Sequence, residues 1–576
     1  MRLSPHERAM LSGERGGAVR RAMEIVVTLG RIYDAQRLLP IQSVQVAGVS
    51  YRNLGEAGLE FLRDWAREGA RACVSATLNP AGMDMNNWRR MGVSERFARK
   101  QMDVLEAYSS MGIQRTCTCT PYLSGNVPKF GQHVAWSESS AVSYANSVLG
   151  ARTNREGGPG ALAAAITGRT ADYGLHLDEN RRATHRVEVR CPVRRPYEFA
   201  ALGYLVGREI GKGAPWFVGL ELSPIDADPV RAPDGPEART RDVLKLMGAA
   251  LASSGAVGLY HVEGVTPEAC AVPDVSPKDV PTLTIESLEP AMAALRTRAP
   301  VQSIDLVAIG CPHASLDELR QVAEGLRGAH LSSDLWVTVA RSVRDQAKAL
   351  GLVEIIEDAG GLVVADTCVV VAPMHEIGYR SVATNSAKLA AYALPHAGLQ
   401  VRFGSLERCL SAAVDGHWDT VGETPMACPG QVATTMGLVP TSEASTKMPL
   451  TLRGRVIVEG HVSGLALVST EPIGFLGGVD PDTGLVIERE HVLEGQSVAG
   501  RILVFPFGKG STVGSYTIYR LGKAGLAPRA IINLEAEPVV AVGALIAGVP
   551  MIDKVDICRL RTGMHVVVHG EVIRCE

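Results

Sequence analysis

Three cysteines stand just after β-type runs or in turns that lead into new structure: Cys119 in Thr-Cys-Thr-Pro-Tyr, Cys311 in Ile-Gly-Cys-Pro-His and Cys368 in Ala-Asp-Thr-Cys. Strand ends are where α/β proteins build their sites. Three thiolates drawn from distant parts of a chain can hold an iron–sulfur cluster and leave one iron open, a Lewis acid able to pull off a hydroxyl. That donor set reads as the chemistry of a dehydratase. Free cysteine is also among the most buried residue types, so the same placement suits three small core residues. Spacing alone leaves both readings open.

A second group lies near the C-terminus. Gly508-Lys509-Gly510-Ser511 follows a strand-like run and precedes a helical one, so its backbone amides can form an anion-binding concavity at a helix N-terminus. It lacks the Gly-x-x-x-x-Gly-Lys-Ser/Thr order of a Walker loop, and a Gly-rich turn with a serine cap would look the same. Arg152 and Arg155 flank Thr153-Asn154 in a Gly-bounded segment. A guanidinium fork is the usual partner of a carboxylate, although arginines exposed at a helix end need no function. His261 and His313 could orient a leaving hydroxyl or serve as satisfied structural residues.

The elements that must position these groups alternate. Ala18 to Leu38 and Gly55 to Gly69 have helical spacing, with a short strand-like run from Ser43 to Val49 between them. Ile304 to Ile309 is a β run, Cys311 falls in the turn after it, and Ser315 with Glu318 forms a capping box that opens a helix. Leu335 to Val339, a helix through Ala347, Val353 to Ile356 and Gly361 to Thr367 continue the pattern. The fold class is α/β, with mostly parallel strands in a large part spanning residues 1–440. Pro, Gly, Ser and Thr accumulate from Ala427 to Pro449, which predicts a linker. Beyond it, strands at Gly454–Val458, Gly464–Val468, Arg501–Phe505, Ala530–Leu534 and His565–Val568 and helices at Gly514–Leu521 and Val539–Ile546 predict a small domain over residues 450–576.

Composition narrows the partners. Lysine and arginine total 58 against 61 acids, a net charge of -3, which gives no basic surface for nucleic acid and no attraction to an anionic membrane. Sixty glycines and 5% aromatic residues suit a loop-rich enzyme of small polar molecules. No apolar run reaches membrane-spanning length and the charged N-terminus is unlike a signal peptide, so the expectation is a cytoplasmic protein, acting as a monomer. The 11 cysteines, odd in number and irregular in spacing, do not read as a disulfide framework.

The cysteine strings and the Phe507–Ser515 loop resemble aconitase X, a divergent branch of the aconitase superfamily. So do Thr77-Leu78-Asn79-Pro80-Ala81-Gly82-Met83-Asp84, Trp136-Ser137-Glu138-Ser139-Ser140, Gly150-Ala151-Arg152-Thr153-Asn154-Arg155-Glu156-Gly157, His261-Val262-Glu263-Gly264-Val265-Thr266-Pro267-Glu268-Ala269 and Thr384-Asn385-Ser386-Ala387-Lys388. The strings occur in order along nearly the whole chain. The resemblance implies a large multi-layer α/β catalytic part and a C-terminal swivelling β/β/α domain, fused in one chain. It places iron–sulfur ligands at Cys119, Cys311 and Cys368, with Cys117 structural. Ordinary aconitases take two ligands from one Cys-x-x-Cys, which this sequence lacks, so a 2Fe-2S cluster is favoured, with 3Fe-4S or 4Fe-4S as alternatives.

The resemblance also places a base at Ser511, with Ser515 as the alternative in the same loop and Lys509 as a cation that would help activate it. Lys388 and Glu138 are its further catalytic candidates, and Asn79, Arg152, Asn154, Arg155 and Ser515 its substrate-binding candidates. Glu138 and Lys388 as a simple salt bridge or cap would also satisfy their strings. The activity implied is a hydro-lyase. Single-chain members are associated with dehydration of cis-3-hydroxy-L-proline to Δ1-pyrroline-2-carboxylate, and two-chain archaeal members with dehydration of mevalonate 5-phosphate. Fusion favours the first. A non-catalytic iron-responsive binding protein is the reading from another class, opposed by the neutral charge balance and the intact serine loop.

Overall fold

The structure is a computed structural model that describes residues 1–226, 235–297, 302–419, 450–488 and 491–575. The expected linker at Ala427 to Pro449 lies outside the described residues.

Apolar runs too short for helices become the strands of three parallel sheets, and helices pack on their faces. The first sheet joins Ser75–Leu78, Ser43–Val46 and Ala135–Trp136 in that order. The second joins His261–Val262, Pro215–Val218, His185–Val189 and Thr282–Ile285. The third has five strands, ordered Leu362–Ala365, Asp334–Val339, Leu306–Ala314, Ser381–Thr384 and Gln400–Phe403.

The C-terminal part is an eight-stranded mixed sheet. Its strand His461–Val468 pairs antiparallel with His565–His569 through its first half and parallel with Ile502–Phe505 through its last residues. Leu450–Arg453 pairs with the final strand Val572–Cys575, so the two ends of this part are zipped together. No described helix is long and apolar enough to cross a membrane.

The helix Gly514–Lys523 docks the C-terminal part on the N-terminal one. Tyr516 is fully buried, and its ring and that of Tyr519 meet Phe61 edge-on at 6.0 and 5.4 Å. Gly48, at φ +86°, lies under Tyr516, and a Cβ there would sit 2.3 Å from the ring. Only glycine permits that approach.

Most expected elements fall within a few residues of those observed. Two differ. The strand expected to stop at Ile309 runs on to Ala314 through a register irregularity, so Cys311 lies within a strand rather than in a turn. Val353–Ile356 lies in the helix Leu352–Asp358, where one flank of the apolar run faces the core formed with Leu319 and Ile309. The Ser315–Glu318 capping box forms as expected, with Ser315 N donating to Glu318 at 2.8 Å.

Candidate active site

The carboxyl ends of the first and third sheets converge, as binding sites of parallel sheets do. Asn79 follows Ser75–Leu78, and Glu138 follows Ala135–Trp136 and caps the helix Ser139–Ser147. Cys311 and His313 lie late in Leu306–Ala314. Cys368 follows Leu362–Ala365, and Lys388 opens the helix after Ser381–Thr384. Cys119 arrives on a stretch that runs beside Ser75–Leu78, tied to it by Gln114 N to Ala76 O at 2.9 Å and Thr118 N to Leu78 O at 3.0 Å.

All three cysteines are buried, between 6% and 8% exposed. Burial pushes the Cys119 thiol well above its ordinary range, with Glu138, Cys368 and Cys311 adding to the rise and Lys388 opposing it. Burial likewise pushes Cys368 up to about 12 and raises Cys311. Thiolates here need positive charge nearby. The ammonium of Lys388 is beside them, but the buried Glu138 carboxylate already neutralises it. Cys117 points elsewhere: its charged neighbours are Asp366, Arg115 and Arg341, and it packs in the N-terminal core.

The Glu138–Lys388 pair is fully furnished with hydrogen bonds. Asn79 Nδ2 donates to Glu138 Oε2 at 2.7 Å, Ser140 Oγ to Oε1 at 2.9 Å, and Lys388 Nζ also reaches Ser140 Oγ at 3.2 Å. Burial alone would raise the Glu138 carboxyl, but Lys388 and these bonds hold it below its ordinary value. Burial would lower Lys388, and Glu138, with Cys311 and Cys119, raises it instead. The pair stays ionised. Asn79 Oδ1 is buried without a hydrogen-bond partner.

Arg155 crosses to the C-terminal part and donates from Nη2 to Gly510 O at 2.6 Å, while its Nε is buried without a partner. Burial raises the Tyr392 hydroxyl above its ordinary range, with Lys388 and Arg155 opposing the rise and Glu138 and Cys311 adding to it. Tyr392 was legible only as the residue one helical turn after Lys388. Ser511 is part exposed, and its Oγ accepts from Val513 N at 3.4 Å, which leaves its proton unassigned.

Several candidates are placed outside this group. Ser515 is buried and donates its hydroxyl to Val539 O at 2.7 Å. Asn154 spends both ends of its amide on Tyr173 O and Leu175 N, and Arg152 is turned to Asp178 and the His176 carbonyl. Lys509 pairs with Glu488 at 2.5 Å. His261 reaches the Arg181 carbonyl at 2.8 Å. Lys212, unremarked in the sequence, lies 4.6 Å over the ring of Phe507, next to the serine loop.

Family models of the aconitase X first, second, third and swivel domains match residues 1–179, 183–293, 304–415 and 451–575. The chain belongs to the aconitase X family. A phosphomevalonate dehydratase large subunit from Methanothermobacter thermautotrophicus is 50% identical over 394 residues, 68% of this chain and 94% of that protein. A phosphomevalonate dehydratase small subunit from Thermococcus gammatolerans is 55% identical over 120 residues, 21% of this chain and 92% of that protein. A cis-3-hydroxy-L-proline dehydratase from Pseudomonas aeruginosa is 38% identical over 425 residues, 72% of this chain and 70% of that protein. The crystal structure of Thermococcus kodakaraensis aconitase X in its holo-form superposes with a TM-score of 0.64 at 45% identity, covering 72% of this chain and all of that one. The named relatives are dehydratases.

The aconitase superfamily implies an iron–sulfur cluster, and the donor set fits one. Cys119, Cys311 and Cys368 are buried thiols that act electrostatically on one another and on Lys388, which puts the three in one neighbourhood. A multinuclear cluster spreads its thiolates over more than one iron, which suits cysteines from three separate segments.

Proposed function

We propose that this chain is an iron–sulfur-dependent hydro-lyase that removes water from mevalonate 5-phosphate. The observation that carries the substrate is that one chain aligns with both subunits of phosphomevalonate dehydratase, at 50% and 55% identity, against 38% for the hydroxyproline enzyme. Fusion, which favoured hydroxyproline, weighs less, because a linker joining two subunits alters no side chain of the site.

Cys119, Cys311 and Cys368 would hold the cluster. When bound it supplies a Lewis acid for the substrate's 3-hydroxyl. Ser511 takes the proton from the carbon next to the carboxylate, so that hydroxyl and proton leave neighbouring carbons and an α,β-unsaturated acid results. A serine is a weak base unless its alkoxide is stabilised. The Ser511 loop offers the N-terminus of the helix Gly514–Lys523, and Arg155, bonded to Gly510, brings a positive charge. The unpartnered Arg155 Nε and Asn79 Oδ1 suit a substrate carboxylate and hydroxyl. Lys388, kept charged by Glu138, steadies the departing hydroxyl. Lys212 and Arg155 lie beside the serine loop, where both also act on the buried Glu537 carboxyl, and would be the cations nearest a phosphate end.

The second reading is dehydration of cis-3-hydroxy-L-proline, favoured by the two parts standing in one chain. Both substrates are 3-hydroxy carboxylates and place the same demands on Ser511 and Lys388. Anaerobic enzyme offered each compound separately distinguishes them: an unsaturated phosphorylated acid from the first supports the proposal, and Δ1-pyrroline-2-carboxylate from the second alone replaces it.

A further inference from the structure

One side chain braces all three cysteine segments. His313 stands two residues after Cys311 and is completely buried. Its backbone N–H donates to Cys119 Sγ at 3.2 Å. Its ring Nδ1 lies 2.9 Å from Thr118 Oγ1 and its Nε2 lies 3.0 Å from the carbonyl oxygen of Thr367. Thr118 and Thr367 are the residues immediately before Cys119 and Cys368.

The hydrogen-bond chemistry assigns each nitrogen. A carbonyl oxygen only accepts, so Nε2 carries the hydrogen, and Nδ1 of the neutral ring accepts from the Thr118 hydroxyl. Thr118 is compatible: its Oγ1 accepts from Thr120 N at 3.1 Å, and with the Thr120 hydroxyl, also 3.1 Å away, as donor to it, its own proton goes to Nδ1. Both ring nitrogens are therefore occupied, and His313 has none left for proton transfer or for binding iron.

We infer that His313 is the positioning residue that sets the spacing of the three thiolates toward an iron–sulfur cluster. The inference rests on the reading that these cysteines hold one. The Cys119 segment runs beside the first sheet and the other two belong to the third; the Ala81–Thr367 bridge joins the two sheets next to Cys368, and His313 carries that tie on to the Cys119 segment. Thiolates repel one another, and any part of their spacing left loose would have to be ordered by the cluster itself, at a cost in binding. A ring with a donor and an acceptor pointing in different directions, on a strand that carries the third cysteine, removes that cost before iron arrives. Lys245 Nζ, 3.4 Å from the His313 carbonyl, anchors the brace from behind.

The test compares full-length wild type, His313→Ala, His313→Gln and Thr118→Val after anaerobic reconstitution. It reads iron per chain, visible and EPR spectra, the rate of iron loss to a chelator, and thermal melting. Supporting groups around metal ligands typically contribute ten- to a hundredfold in affinity. His313→Ala should melt cooperatively yet lose iron at least about tenfold faster with an altered EPR signal. His313→Gln, whose amide can still donate to Thr367, should recover part of the retention. A folded alanine variant with wild-type spectrum and iron-loss rate overturns the inference. Should that variant fail to fold, Thr118→Val decides: faster iron loss supports the brace and an unchanged rate overturns it. If wild type takes up no iron, the cluster reading itself fails and takes the inference with it.

Discussion

Arg155 donates a 2.6 Å hydrogen bond to the carbonyl oxygen of Gly510, the residue before Ser511. A guanidinium of the matched first domain thus holds a loop of the matched swivel domain, and the serine meets the cysteine-bearing sheets only when the two parts are docked. Arg155→Lys keeps the charge but loses the fork. The expected outcome is a fall in kcat/KM of about a hundredfold with iron content unchanged, read by steady-state kinetics beside an iron assay; unchanged kinetics would remove Arg155 from the site.

Cys119→Ser, Cys311→Ser and Cys368→Ser should each abolish the sulfur-to-iron absorption and the activity. Cys117→Ser, Cys409→Ser and Cys558→Ser should keep both, since Cys117 and Cys409 lie in apolar cores and Cys558 is exposed. Iron analysis and EPR of the six variants also read the number of irons. Full iron content in any of the first three would strike that cysteine from the ligand set.

Ser511→Ala should retain iron and melting temperature while losing about a hundred- to ten-thousand-fold in kcat, the range of a deleted general base. Ser515→Ala should do the reverse: its hydroxyl serves Val539 O, and its loss costs about 1 kcal/mol of stability with turnover nearly intact. A dead Ser515→Ala beside an active Ser511→Ala would shift the base by four residues.

Gly48→Val tests docking without touching the chemistry. The substitution strains a positive φ, at about 1–3 kcal/mol, and drives a side chain into Tyr516. The expected result is loss of turnover with the cluster spectrum retained, measured on the same sample.

Glu156 carries a pH signature. Burial, with Glu537 adding to it, pushes its carboxyl from 4.5 up to about 7 against the Thr170 hydroxyl. A raised acid contributes stability that is fully present below its unfolded value and is lost as pH rises through the folded one. Wild type should therefore lose up to about 3 kcal/mol between roughly pH 4.5 and 7 from this group, and Glu156→Gln should flatten that part of the profile of melting temperature against pH.

Much of the scaffold was legible because its signals are local. The Ser315–Glu318 cap, the short β runs and the C-terminal helices each follow from spacing over a few residues. Apolar length without alternation misled at Val353–Ile356, where a buried helix face and a strand look alike. In the site, the strings that resemble the family named Glu138, Lys388 and Arg155 together with Arg152 and Asn154, and sequence could not show that the groups of the last two are taken up by neighbours brought in by folding. Lys509 was expected to assist the serine and instead faces Glu488. His313 looked like an ordinary buried histidine because its partners Thr118, Cys119 and Thr367 come from two segments far from it in sequence.

The most direct measurement offers anaerobically purified protein, reconstituted with iron and sulfide, mevalonate 5-phosphate and cis-3-hydroxy-L-proline in separate reactions, with products followed by mass spectrometry and NMR. The account predicts loss of one water from mevalonate 5-phosphate to a phosphorylated 2-enoic acid, abolished in Ser511→Ala. Turnover of cis-3-hydroxy-L-proline with none of the phosphate ester would contradict it.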